Sequence, residues 1–297
     1  MNRLRIDSAA ASDRQGPVGH KTRQAGLTLL ELMVSLGLGL VLLAGTGTVY
    51  LGSRQAYQLQ ESSARLQEAG RYALETIGRG IRQAGTSAPM DSTANMPADC
   101  NPKDPATTCV PVAGVDGAGV LPDTLTVQFY ANNDEMDPVN GLGARDCTDG
   151  FAPIGTLVAN TYALDRAKLN LTCTGSVNGN PVPLIGNIED FQVLYGIDND
   201  GDTFPSANLY SLTPPANGQV VSVRVCVLVR SDSTAMASKS QQRYLNCNGA
   251  LGVATCQNVP PACASPTNAF NVAQDTRLRR VFIATFVVRN LVTVPPT

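Results

Sequence analysis

Three aspartates, Asp198, Asp200 and Asp202, alternate with asparagine and glycine in the stretch GIDNDGDTF. Closely spaced carboxylates on a short loop suit a hard, oxygen-seeking ion such as Ca²⁺. The stretch is not an EF-hand, because Leu209 occupies the twelfth loop position, where an acidic ligand belongs. The same composition is also typical of a polar turn after a strand. The sequence therefore leaves two interpretations open, a plain turn and a calcium site.

Eight cysteines follow the apolar N-terminal segment, and none of them forms a CxxC pair. A zinc site would need clustered ligands, usually including histidine, and the single histidine of the chain is His20. An even number of dispersed cysteines instead predicts disulfides in an oxidising compartment. Eight cysteines allow 105 pairings, so the partners are not predicted. The candidates are Cys100, Cys109, Cys147, Cys173, Cys226, Cys247, Cys256 and Cys263.

A carboxylate, Glu31, stands at the start of the most apolar stretch of the chain, and no charged residue follows it from Leu32 to Ser53. An acidic side chain costs roughly 2.5–3.5 kcal/mol at the middle of a bilayer on insertion scales. It must therefore reach the headgroups or pair with a positive charge. Intramembrane carboxylates usually mark function.

The element that positions Glu31 is an apolar segment, residues 27–51, whose length suits a membrane-spanning helix. Five basic residues precede it, and only Arg54 follows it closely. The positive-inside rule therefore predicts a cytoplasmic N-terminus and an exported remainder. Residues 1–26 are polar and basic without periodicity, which is typical of a targeting segment.

The helix is expected to continue through residues 52–85 as an amphipathic half. One apolar stripe recurs there at helical spacing, and it comprises Leu59, Leu66, Ala73, Ile77, Ile81 and Ala84. No proline interrupts residues 18–88, so we predict one helix from about Leu27 to Ala84. Its amphipathic half must lie on the sheet of its own head.

Residues 86–297 are predicted to form a β-rich head that begins with a long, cysteine-closed loop over 86–124. Four segments show strand patterns, with long loops between them: 124–131, 188–197, 219–231 and 279–290. In the third, alternation predicts a common face for Val221, Val223, Val225, Val227 and Val229. The fold class is therefore α+β, with a long N-terminal helix packed on a mostly antiparallel sheet and disulfide-stapled loops.

A basic leader that ends in Gly26, followed by Thr28, Glu31 and an uninterrupted apolar helix, resembles the class III signal of type IV pilins and pseudopilins. The segments GRGIRQAG, IEDFQVLYGIDNDGD, VRVCVLVRS and RRVFIATFVVRN resemble PilW-type minor pilins. Two features differ from the usual pattern of that family. Its members more often carry phenylalanine at the position of Leu27, and the leader of this chain, residues 1–26, is long.

The resemblance implies that a prepilin peptidase cuts after Gly26 and methylates the new N-terminus at Leu27. It also implies that Glu31 meets the N-terminal amine of an axially staggered neighbour, so that each charge gains a partner. The resemblance also implies where the protein lies. It is first held in the bacterial inner membrane, with its head in the periplasm, and is then assembled into a pilus at the cell surface. The implied partners are other minor pilins, the major pilin and a PilY-family tip adhesin.

The function implied is that of a non-catalytic minor pilin that primes type IV pilus assembly at or near the tip. Removal of residues 1–26 removes His20, which excludes Ser-His-Asp and Cys-His catalysis, and leaves a net charge of −5. An acidic head without a basic block predicts no nucleic-acid partner. The alternatives are a minor pseudopilin of a type II secretion system and, less favoured by the residues, a membrane-anchored, calcium-dependent periplasmic hydrolase.

Overall fold

The computed structural model describes Gly26 and the ranges 28–87, 109–117, 121–132, 135–137, 141–200, 206–215, 219–232, 242–251 and 270–290, with the single residues 100, 139 and 234. The chain divides into two units, Met1–Gly52 and Ser53–Thr297, which are described separately. The first contains the apolar part of the long helix. The second contains the amphipathic part and the β-rich head.

The first helix, α1, runs from Leu29 to Gln83 without interruption and confirms the predicted single helix. Two residues after its end lies Gly85, whose φ of 79° is in the left-handed region that terminates many helices. The side-chain amide of Asn290 donates hydrogen bonds to the carbonyls of Arg82 (3.0 Å) and Ala84 (3.3 Å). These bonds satisfy carbonyls that the last turn leaves without helical partners.

The buried face of α1 in the second unit follows the predicted stripe, with one error. Leu66, Ala73, Ile77, Ile81 and Ala84 are all buried, whereas Leu59 is 37% exposed. The stripe also contains small residues that an apolar pattern does not reveal, and these are Ser62, Gly70, Gly78 and Gly80. Small side chains let another element approach the helix axis closely.

The head contains fourteen strands within the described residues, and their lengths range from three to twelve residues. They are Val112–Val115 (β1), Thr124–Tyr130 (β2), Glu135–Asp137 (β3), Gly141–Arg145 (β4), Phe151–Pro153 (β5), Leu157–Asp165 (β6), Asn170–Gly175 (β7), Pro181–Ile185 (β8), Ile188–Asp198 (β9), Leu209–Ser211 (β10), Gln219–Arg230 (β11), Arg243–Leu245 (β12), Phe270–Val272 (β13) and Arg279–Val287 (β14). A short helix, α2, spans Cys247–Leu251.

Two antiparallel sheets make up most of the head. The order is β1-β2-β6-β7-β8 in the first and β10-β9-β11-β14 in the second, while β3-β4-β5 and β12-β13 form smaller sheets. The four predicted strands correspond to β2, β9, β11 and β14, and the predicted α+β class is confirmed. The expectation of long loops was wrong for residues 109–187, because β1 and β3–β8 lie there.

The predicted valine face of β11 needs one correction. Val220 pairs with Ile197 and Ser222 with Gly196, so Val221 is an extra residue in a β-bulge. Val220, rather than Val221, therefore joins Val223, Val225, Val227 and Val229 in the main core. That core also contains the buried face of α1 and apolar side chains from both large sheets.

Candidate functional site

The predicted processing signal lies at the start of α1. Gly26 is exposed, and Leu27 lies outside the described residues. Thr28 caps the helix, because its Oγ1 accepts a hydrogen bond from the Glu31 N–H (3.3 Å). Threonine followed three residues later by glutamate is the pattern of a capping box. Glu31 therefore occupies a helix-starting position, where a carboxylate is favourable near the positive end of the helix dipole.

The helix that follows is long and apolar enough to cross a membrane, judged by length and composition. Its large apolar side chains between Leu29 and Leu51 are 52–78% exposed. Hydroxyl groups within this stretch bond to backbone carbonyls of the preceding turn: Ser35 to Glu31 (2.7 Å) and Thr46 to Leu42 (3.0 Å). Their donors therefore need no water, as an apolar surrounding requires.

The aspartate stretch begins at the end of β9. Asp198 is the last residue of that strand, Asp200 is exposed just beyond it, and Asp202 lies outside the described residues. Among the residues that the structure describes, no group of three His, Cys, Asp or Glu side chains could hold a metal ion. The calcium site stays a prediction, and its third carboxylate is not placed.

Six of the eight candidate cysteines form disulfides, as the composition predicted, and they pair Cys100 with Cys109, Cys147 with Cys173 and Cys226 with Cys247. The second pair joins the β4–β5 turn to β7, and the third joins β11 to α2. Cys256 and Cys263 lie outside the described residues.

An ionic cluster that the sequence reasoning missed fixes the start of β14 to β9. The Arg279 guanidinium binds both carboxylate oxygens of Glu189, at 2.6 and 2.9 Å. It also binds both oxygens of Asp275, at 2.6 and 3.0 Å. These bonds lower the pKa of Asp275 to about 2. Arg279 is 8% exposed in its side chain, and two-pronged pairs of this kind fix orientation as well as charge.

Two buried aspartates tie loops to strands, and they differ in the direction of their pKa shifts. Asp123 accepts hydrogen bonds from the N–H groups of Gly117 (2.9 Å) and Val193 (2.7 Å), which joins the entry of β2 to β9. Burial outweighs these bonds and raises its pKa to about 6.

Asp146 is also buried, yet its carboxylate accepts four hydrogen bonds. They come from the backbone N–H groups of Thr148, Gly150 and Val177 and from the Thr148 hydroxyl, at 2.7–3.0 Å. Burial opposes ionisation, but these bonds outweigh it and hold the pKa of Asp146 below its usual value. The carboxylate therefore holds the β4–β5 turn against the turn that follows β7.

Two segments of the chain match known protein families. Residues 153–290 match the family described as Type IV Pilus-assembly protein W, and residues 21–47 match the prokaryotic N-terminal methylation motif. The second match spans Gly26, Leu27 and Glu31, whose individual roles stay predictions. The first match covers slightly less than half of the chain, and the two matches together confirm the resemblance that the sequence suggested.

Among solved structures, a type IV-like pilin from Thermus thermophilus is similar at 13% identity and a TM-score of 0.40, over 76% of this chain and 97% of that one. No curated protein sequence matches the chain.

Proposed function

Since residues 153–290 match the family described as Type IV Pilus-assembly protein W and residues 21–47 match the N-terminal methylation motif, we propose that the chain is a PilW-type minor pilin that primes assembly and sits at or near the pilus tip. In this role it is a structural and interaction subunit, not an enzyme. Its head meets other minor pilins and a PilY-family tip adhesin, and its helix meets the major pilin.

The observation that supports this proposal best is the apolar half of α1 together with the carboxylate in its first turn. Large apolar side chains are exposed all along this half, so they need lipid first and neighbouring helices later. Glu31 is exposed at the same end. A neighbour's N-terminal amine, created by cleavage after Gly26, supplies the opposite charge that this carboxylate needs in an apolar bundle.

The structure sharpens the test of Glu31, because the backbone N–H of that residue donates to Thr28 Oγ1 in the pattern of a capping box. Glutamine can occupy the same position of a capping box, so Glu31→Gln removes the charge and keeps that pattern. Glu31→Ala also removes the charge and keeps the backbone bond to Thr28, but it removes the polar side chain of the capping pattern. If the charge pair drives assembly, both variants are expressed and processed normally, and both are nearly absent from sheared pili. Glu31→Asp keeps the charge with less reach and gives an intermediate amount.

Recovery of Glu31→Gln in pili at wild-type amounts would show that the charge of Glu31 is not needed for assembly. The matched processing variant is Gly26→Val, which should retain residues 1–26. N-terminal sequencing that still begins at Leu27 in that variant would disprove cleavage after Gly26.

Priming and tip location need separate measurements. Cells without this chain should show few pili, although the major pilin is still made. Gold labelling of an epitope inserted at the exposed Val139 should appear at pilus ends. Labelling along the whole pilus would disprove the tip location. Normal piliation combined with loss of secreted enzymes would assign the chain to a type II secretion pseudopilus instead.

A further inference from the structure

The outer edge of β14 has the form of a template for another strand. β14 is hydrogen-bonded to β11 on one side, and no other strand of the described residues is hydrogen-bonded to it, although β12 lies close to its first residues. The Ser231 N–H donates to the Leu278 carbonyl and the Val288 N–H donates to the Val221 carbonyl, so even-numbered positions point at β11. Since backbone groups alternate in direction along an antiparallel strand, the odd-numbered positions point away from it. We name these outward positions, 281, 283, 285 and 287, the β14 edge.

The backbone of Arg279, the outward position just before the β14 edge, shows which hydrogen bonds an outward position can make. The Gln242 side-chain amide donates to the Arg279 carbonyl (3.0 Å), and its oxygen accepts from the Arg279 N–H (3.1 Å). One amide side chain therefore makes both bonds that a neighbouring strand would make. The four positions that follow present the same pattern, without a proline or a lysine, which natural edges often use to prevent pairing.

The charges near the β14 edge define the partner. The stretch RLRRVFIATFVVR, residues 277–289, holds four arginines and no acidic residue, in a chain of net charge −2. Arg279 is neutralised by Glu189 and Asp275, and Arg277 binds backbone carbonyls. Arg280 and Arg289 are exposed, one near each end of the edge. A segment that pairs here gains by carrying carboxylates at its ends.

Two side chains between these arginines are apolar and exposed, and the polar Thr285 lies between them. Ile283 is 41% exposed and Val287 is 58% exposed, on the face that the alternation of the strand gives to odd-numbered positions. An added strand would continue this face, and β-branched side chains on it would pack beside both residues.

A second copy of the chain fits the β14 edge poorly. Antiparallel pairing centred on position 284 would set Arg279 and Arg280 of one copy beside Arg289 of the other, at both ends of the pairing. Like charges at such positions destabilise a strand pair. We therefore infer that the β14 edge binds an extended segment of a different protein, with acidic residues at its ends and β-branched apolar residues between them. This inference does not depend on where in a pilus the chain sits.

Defined peptides test the inference on the full chain in detergent micelles. The probe is a fluorescent nine-residue peptide with two acidic residues at each end and alternating valine and threonine between them. Its control carries lysine in place of the acidic residues. In fluorescence anisotropy at low salt, the acidic peptide should bind at least tenfold more tightly than the lysine peptide, and added salt should narrow the difference.

Backbone pairing is tested with two N-methylated forms of the acidic peptide, each modified at alternate amides. The form whose methyl groups face β14 should lose binding at least tenfold, and the other form should keep it. The charge term is tested by Arg280→Glu combined with Arg289→Glu, which should favour the lysine peptide. Arg166→Glu combined with Lys168→Glu, at the exposed β6–β7 turn of the other sheet, is the matched charge control and should change nothing.

Three results would overturn the inference. Equal binding of acidic and lysine peptides would remove the charge argument. Equal binding of the unmodified peptide and both N-methylated forms would exclude strand addition. Binding that appears only after removal of residues 291–297 would mean that the chain's own C-terminal residues occupy the β14 edge. None of these results bears on assembly through α1, so failure here is distinguishable from failure of the proposed function.

Discussion

Alanine at Gly70 should destabilise the head, although alanine is the better helix former. A glycine inside a helix costs about 1 kcal/mol relative to alanine. Gly70, however, faces Phe282 of β14, and a Cβ built on Gly70 would overlap the ring of that phenylalanine. Gly78 meets Phe286 in the same way, with ring atoms Cδ1 and Cζ 2.8 Å from its Cβ position.

The size of the effect follows from two opposed contributions. Overpacking a well-packed core costs about 1–3 kcal/mol, and the gain in helix propensity offsets about 1 kcal/mol of that. Gly70→Ala should therefore lower the free energy of unfolding by about 0–2 kcal/mol. Ala64 is exposed on the same helix and calibrates propensity alone. Ala64→Gly should cost about 1 kcal/mol.

The decisive measurement is a double-mutant cycle with Phe282→Ala. Without the ring, Gly70→Ala should become stabilising, and the coupling between the two substitutions should be about 1–3 kcal/mol. Unfolding of the full chain in detergent micelles would be followed by near-ultraviolet circular dichroism of the tyrosines. If Gly70→Ala stabilises the wild-type head by the amount that Ala64→Gly loses, the ring does not need the glycine and the packing argument is wrong.

Further predictions concern the buried carboxylates, one disulfide and the aspartate stretch. Asp146→Asn should lower the free energy of unfolding by about 1–3 kcal/mol at pH 7. The pKa of Asp146 is lowered in the folded head, so the stability that this carboxylate contributes is lost as it is protonated in acid. The urea midpoints of the variant and the wild type should therefore approach each other in acid. Asp123 has the opposite sign: its pKa of about 6 exceeds the ordinary 3.8, so the head should gain stability as the pH falls from 6 towards 4, and Asp123→Asn should flatten that part of the urea-midpoint profile. Replacing Cys147 and Cys173 together by alanine should cost about 3 kcal/mol, since the bond closes a loop with a sequence separation of 26. If the aspartate stretch binds Ca²⁺, millimolar calcium should raise the melting temperature relative to chelator, and Asp200→Asn should abolish the shift; identical curves for the wild-type chain would make the stretch a plain turn.

The sequence predicted those elements whose apolar residues repeat strongly. The α1 stripe and β9, β11 and β14 are rich in large apolar side chains, so their periods are visible without a structure. β7, with the sequence NLTCTG, also alternates, since Leu171, Cys173 and Gly175 are buried and the residues between them are half-buried. Only one of these three is a large hydrophobe, and that is why the same period was not recognised there.

The errors within predicted elements have local causes. Leu59 matches the stripe by spacing but lies beyond the part of the helix that the head covers, as its 37% exposure shows. Val221 matches the alternation of β11, but a bulge adds one residue and changes the face of everything before it. Gly70 and Gly78 add nothing to an apolar pattern, because glycine has no side chain. Their role in packing is recognised only from the phenylalanine rings that lie against them in the structure. Arg279 and Glu189 are 90 positions apart in the sequence. Their ion pair therefore becomes visible only when the pairing of the strands is known.

β14 joins the helix, the core and the proposed binding edge in one element. Its Phe282 and Phe286 rings pack on helix glycines, its Arg279 is locked to β9, and Asn290 just after it caps the end of α1. The strand therefore cannot shift without disturbing the helix that anchors the head.

A segment bound to the β14 edge adds backbone bonds to the folded head and none to the unfolded chain, so it must stabilise the head. The acidic peptide should consequently raise the melting temperature of the head, and Gly70→Ala, which loosens the inner side of the same strand, should weaken peptide binding. Unchanged peptide affinity in Gly70→Ala, at the same reduced stability, would show that the two sides of β14 act independently.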